Sequence, residues 1–171
     1  LVRLDSNNFP FTIANSNGSD IRFTLPDSSI PLYHEFDKWD PINKQALIWV
    51  NLPVVFSGQP TPFEMWFENN DAPQGENKKG VWNNSYQAVW HFNDSSNSSP
   101  FDITPWNTVL GVNGWTNNGR VGASLMPLAD GAYYSGPSNS EVYSGLNFSY
   151  SFWLMSTNTN AFLPGTSWFV Y

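Results

Sequence analysis

GVWNNSYQAVWHFND, residues 80–94, decides how the chain is read. Gly80 closes a polar loop, Asn77-Lys78-Lys79. Val81 and Trp82 give way to Asn83-Asn84-Ser85, whose short polar side chains mimic backbone turns. From Gln87 to Phe92 the residues alternate, with Ala88, Trp90 and Phe92 on one face and Gln87, Val89 and His91 on the other. That period of two predicts a half-buried strand. The Asn- and Ser-rich stretch 93–100 reads as a surface connection. It divides the chain into a β-rich unit over 1–94 and a second unit over 95–171.

Outward from this stretch, strand candidates recur every ten to fifteen residues. LVRL (1–4) has the look of the end of a strand. Ile21, Phe23 and Leu25 alternate with Arg22 and Thr24 and stop at Pro26-Asp27. A strand is expected over 32–36, closed by Trp39-Asp40-Pro41. ALIWV (46–50) is continuously apolar, as in a central strand covered on both faces. Phe63, Met65 and Phe67 alternate with Glu64, Trp66 and Glu68. In the second unit, Phe148, Tyr150, Phe152 and Leu154 alternate with Ser149, Ser151 and Trp153, and SWFVY (167–171) is again apolar. No segment sustains a helical period; a turn or two is conceivable only near 43–45 or within 70–78. The pattern predicts an all-β chain of antiparallel β-sandwich or jelly-roll modules.

Composition agrees. Nine Trp, seven Tyr and thirteen Phe in 171 residues favour sheet. Thirteen Pro and twelve Gly are spread as punctuation between short elements. Charged residues make up 12%, about half the usual share, and the net charge is −7. Such a surface repels nucleic acid and anionic membrane, so neither is an expected partner. No apolar run is long enough to span a bilayer. Cysteine is absent, which at this size leaves a packed core to hold the fold.

The strings VRLDS (2–6), SDIRFT (19–24), LYHEFDKWD (32–40), LIWVNLP (47–53), FEMWFENNDAP (63–73) and GVWNNSYQAVWHFND (80–94) together resemble a domain family of unknown function. It is found in large surface and secreted proteins of bacteria and archaea. Members of the family are commonly followed by a concanavalin-like, laminin-G-like jelly roll. The strings DIT (102–104), GRVGASL (119–125), ADGAYYSGP (129–137) and LNFSYSFWLMS (146–156) resemble the opening of such a module. The resemblance implies an extracellular or cell-surface location and no catalytic residues.

The most chemical string is Glu35-Phe36-Asp37-Lys38-Trp39-Asp40. On a strand, Glu35 and Asp37 share a face, and paired carboxylates can flank a glycosidic bond as acid and nucleophile. It is similar, with one change, to the Glu-x-Asp-x-x-Glu strand of jelly-roll glycosidases. The third acid, however, is Asp40 ahead of Pro41, and the string lies in the other unit. A solvated strand edge is the better expectation. His34 and His91 are the only histidines and lack metal-ligand spacing; one is expected exposed and one on a sheet face, so no metal is expected. Loop calcium at Asp130-Gly131 or Asn117-Asn118-Gly119 competes with plain turns. No nucleophile elbow or phosphate loop is present.

Trp66, Trp115, Tyr133 and Tyr134 are candidates for stacking on sugar rings, against the alternative that they fill the core. Asn-x-Ser/Thr sequons stand at Asn17, Asn83, Asn93, Asn97 and Asn147. Chance placement of 21 Asn among 29 Ser and Thr gives roughly four, so position matters more than number. All but Asn147 fall in expected loops. The sequence therefore sets three expectations in order: a non-catalytic structural or adhesive surface subunit that self-associates through strand pairing, a glycan-binding module, and, last, a polysaccharide-cleaving enzyme.

Overall fold

The computed structural model describes residues 1–83, 86–93, 100–104, 115–116, 119, 124–125 and 151. The chain divides into two compact units, Leu1–Pro137 and Ser138–Tyr171. The expected boundary at 94–95 lies outside the described residues. The described part of the first unit is almost entirely β, in two antiparallel three-stranded sheets.

The first sheet joins β1 (Val2–Asp5), β5 (Gln45–Val50) and β4 (His34–Asp40), in that order. The apolar run expected to be central is central: β5 pairs with β1 through Val2↔Ile48 and Leu4↔Ala46, and with β4 through Phe36↔Ile48. The strand expected at 1–4 is thus paired within the chain, to β5; 167–171 lie outside the described residues. The second sheet joins β3 (Pro31–Leu32), β2 (Arg22–Thr24) and β6 (Glu64–Trp66). A short pair, β7 (Trp115–Thr116) with β8 (Ser124–Leu125), is also antiparallel.

The core lies between the two three-stranded sheets. Leu4, Ala46 and Ile48 from the first meet Ile21 and Phe23 from the second, and Phe9 and Phe11 close one end. Ile21, Phe23 and Ile48 are wholly buried. The period-two reading of 21–25 therefore holds, except that Thr24 is also buried, beneath the Trp66 indole that donates to its hydroxyl at 3.0 Å.

A bulge in β4 shapes the rest. Phe36 faces Ile48 but Lys38 faces Leu47, so Asp37 is the extra residue. The slip resets the alternation. Phe36 and Trp39, three apart, both reach the core, with ring centroids 5.2 Å apart. Gly18 lets the 15–21 turn approach these rings. At φ +70°, a Cβ there would lie 2.9 Å from the Phe36 ring.

The strand expected over 87–92 does not form. Residues 86–93 run as irregular chain, after one helical turn, α1 (Lys78–Val81), capped by the Asn77 side chain. The reason is local. Val89 N–H donates to Asp102 and Val89 C=O accepts from Ile103, while Phe92 adopts φ 58°, which a ladder does not tolerate. Asp102 also caps Thr104, accepting from its backbone and hydroxyl, so 102–104 is tied to 89.

Candidate functional site

The outer face of β4 and β5, opposite the core, holds the densest chemistry among the described residues. Glu35 and Asp37 both point there, as their spacing requires, and so does Trp49 of β5, opposite Glu35 in the register. The expectation of a solvated edge is corrected here. The side chains of Glu35 and Asp37 are 2% and 1% exposed.

Residues 78–83 and 86–93 cover them. Trp82 Nε1 donates to Glu35 Oε2 at 2.5 Å. Each ring nitrogen of His91 faces a carboxylate: Nε2 lies 3.2 Å from Glu35 Oε2, and Nδ1 lies 3.5 Å from Asp37 Oδ2. Lys78 Nζ reaches Glu35 Oε1 at 3.7 Å from the half-exposed side. Trp49 Nε1 donates to Asp37 Oδ2 at 2.8 Å, and Asn93 Nδ2 donates to both the carbonyl and the carboxylate of Asp37. The rings add a stack: Trp49 lies over His91 at 20° and 5.9 Å, and Trp82 meets Trp49 edge-on at 5.2 Å. A buried carboxylate without partners costs several kcal/mol, roughly, and here both acids are surrounded by donors.

The strained Phe92 explains how His91 and Asn93 serve one acid. In extended chain they would project alike but a full repeat apart. The left-handed turn at Phe92 folds both back onto Asp37. Sequence reasoning placed His91 on a sheet face and saw Asn93 only as a sequon. The available signal was two acids and an isolated histidine in a chain otherwise poor in charge.

The other histidine is its opposite. His34, expected to be exposed or on a sheet face, is wholly buried, edge-on to Phe23 and Phe36. Among the described residues, neither ring nitrogen has a hydrogen-bond partner. Burial, helped by the Arg22 charge, pulls its pKa down to about 4; the Leu32 backbone carbonyl pulls weakly the other way, from outside hydrogen-bond geometry.

Of the sugar-stacking candidates, Trp66 is 57% exposed on β6. Trp115 lies in β7; Tyr133 and Tyr134 fall outside the described residues. Of the sequons, Asn17 and Asn83 are exposed in turns. Asn93 is exposed, but its amide nitrogen is engaged with Asp37. Asn97 and Asn147, and the calcium candidates Asn117, Asn118, Asp130 and Gly131, lie outside the described residues. Gly119 is described, in no element. Among the described residues, no group of three or more His, Asp or Glu could hold a metal ion, and no helix is long and apolar enough to cross a membrane.

The fold and this covered face define a β-sandwich module whose polar cluster is internal. The chain belongs to the family described as a domain of unknown function, DUF2341, which matches residues 17–109. The matched region spans β2 to the Asp102–Thr104 tie and so includes Glu35, Asp37, Trp82, His91 and Asn93. Comparison with curated proteins and with solved structures finds no match.

Proposed function

We propose that this chain is a non-catalytic structural or adhesive module of a bacterial or archaeal surface protein, self-associating through β-strand pairing. Residues 95–171 are read as the opening of a concanavalin-like jelly roll. The observation that carries the non-catalytic reading is the fate of the acid pair. A glycosidase needs two carboxylates open to substrate and about 5–9.5 Å apart on either side of the bond. Glu35 and Asp37 are instead closed off by Trp82, His91 and Asn93, and both carboxylates accept from protein donors.

A screen for polysaccharide hydrolysis alongside sedimentation velocity tests this reading. It expects association that grows with concentration and no cleavage. Cleavage abolished by Glu35→Gln would overturn it.

A second reading, glycan binding, is favoured by Trp66. Its indole is broadly exposed and held by its bond to Thr24. A glycan array on wild type and Trp66→Ala separates the two. If the source organism glycosylates Asn, Asn17 is the best-placed acceptor. It is exposed, and only its oxygen is used, accepting from Ser19 N–H. A glycan on Asn93 would take one of the two N–H groups that hold Asp37.

A further inference from the structure

Of the four outer edges of the two three-stranded sheets, three are closed. On β1, the Asn8 side chain donates to Arg3 C=O and accepts from Asp5 N–H. On β4, Glu76 accepts from Phe36 N–H, Asn77 N–H donates to His34 C=O, and Asn93 donates to Asp37 C=O. On β3, Pro31 removes a donor, and the strand is two residues long. These are the devices by which proteins stop an edge from pairing.

The fourth edge, β6, is also short and carries Glu64, but it has no proline and no capping side chain or loop on its outer backbone groups. Among the described residues, no backbone group from Phe63 to Phe67 bonds anything except β2. The segment runs without proline from Phe63 to Phe67, and Glu68 at φ 76° ends it. Phe63, Glu64 and Trp66 are exposed, Trp66 by 57%.

The sequence of this edge also identifies its partner. FEMWF carries Phe at both ends and Met at its centre. Laid antiparallel on itself about Met65, it sets Phe63 opposite the second copy's Phe67, Glu64 opposite Trp66, and Met65 opposite Met65. No like charges face each other, and aromatic pairs flank the centre. We propose that two copies of this chain pair β6 to β6 across a twofold axis, making one six-stranded sheet ordered β3-β2-β6-β6-β2-β3. This deepens the self-association proposed above and rests on it. Because the same patch is used on both sides, the contact closes at two copies. Any larger assembly needs a second contact elsewhere.

The test is charge complementation on the full chain, read by sedimentation equilibrium. Trp66→Glu places two carboxylate pairs opposite each other and is expected to weaken the dimer roughly tenfold or more. Adding Glu64→Lys turns both into opposite-charge pairs and is expected to restore it. A merely misfolded Trp66→Glu chain would not be rescued this way, and circular dichroism checks its fold. The chain has no cysteine, so Met65→Cys supplies a single thiol, expected to cross-link the dimer on oxidation. Association unchanged by Trp66→Glu overturns this edge while leaving self-association standing. A chain that is monomeric at every concentration overturns both. A Trp66→Glu dimer not restored by Glu64→Lys, with no Met65→Cys cross-link, overturns the register and with it the proposal.

Discussion

The two faces of the β1-β5-β4 sheet are held by different physics. On one, Leu4, Ala46, Ile48, Phe36 and Trp39 pack against the second sheet through their apolar surfaces. On the other, Glu35, Asp37 and Trp49 meet Trp82, His91, Lys78 and Asn93 through directed bonds to buried charge. The first face needs volume, and related apolar side chains can supply it. The second needs particular atoms at particular places, since a carboxylate that loses its donors stays buried and unpaid.

The largest expected break is in the apolar face. Phe23→Ala removes a wholly buried ring at the centre of the core and is expected to cost about 3–5 kcal/mol in denaturant unfolding. Much of a small domain's stability would go with it.

Next comes the one polar intruder on that face. The folded chain keeps His34 neutral down to about pH 4, while the unfolded chain takes up its proton near the ordinary 6.5. The unfolded state therefore binds more protons between these values, and stability falls as pH drops through that window. By pH 4 the loss from this group is about 3 kcal/mol. His34→Phe, which removes two unpartnered nitrogens, should flatten that part of the stability–pH curve. An unchanged curve would place the acid sensitivity elsewhere.

The smallest effect sharpens the contrast from the other side. Ile48→Val keeps the apolar face apolar and is expected to cost only about 0.5–1.5 kcal/mol. A much larger loss would mean that this face is as exacting as its opposite.

The β strands were largely legible because their signal is local. Alternation in 21–25 and 63–67 and the apolar run 46–50 each state their own burial. The covered face was not legible in the same way. Its partners are 47 and 56 residues apart, as with Trp82 and His91 to Glu35. No short-range period reports that. The same residues even mislead: Gln87–Phe92 alternates like a strand, but the bonds from Val89 to 102–103 and the left-handed Phe92 override the pattern. The bulge at Asp37 was equally hidden. It shows only in the pairing with β5, yet it is what lets Phe36 and Trp39 enter the core while Asp37 keeps to the outer face beside Glu35.

The central claim is that the Glu35 carboxylate is spent on holding 82–93 in place. A double-mutant cycle between Glu35→Leu and Trp82→Phe, read by denaturant unfolding, tests it most directly. The two residues are 47 apart along the chain, and Trp82 Nε1 donates directly to Glu35 Oε2 at 2.5 Å. The account predicts a coupling of about 1.5–3 kcal/mol, the usual range for a hydrogen bond to a buried charge. Additive effects, with Glu35→Leu leaving stability intact, would contradict it and return Glu35 to the list of groups free for chemistry.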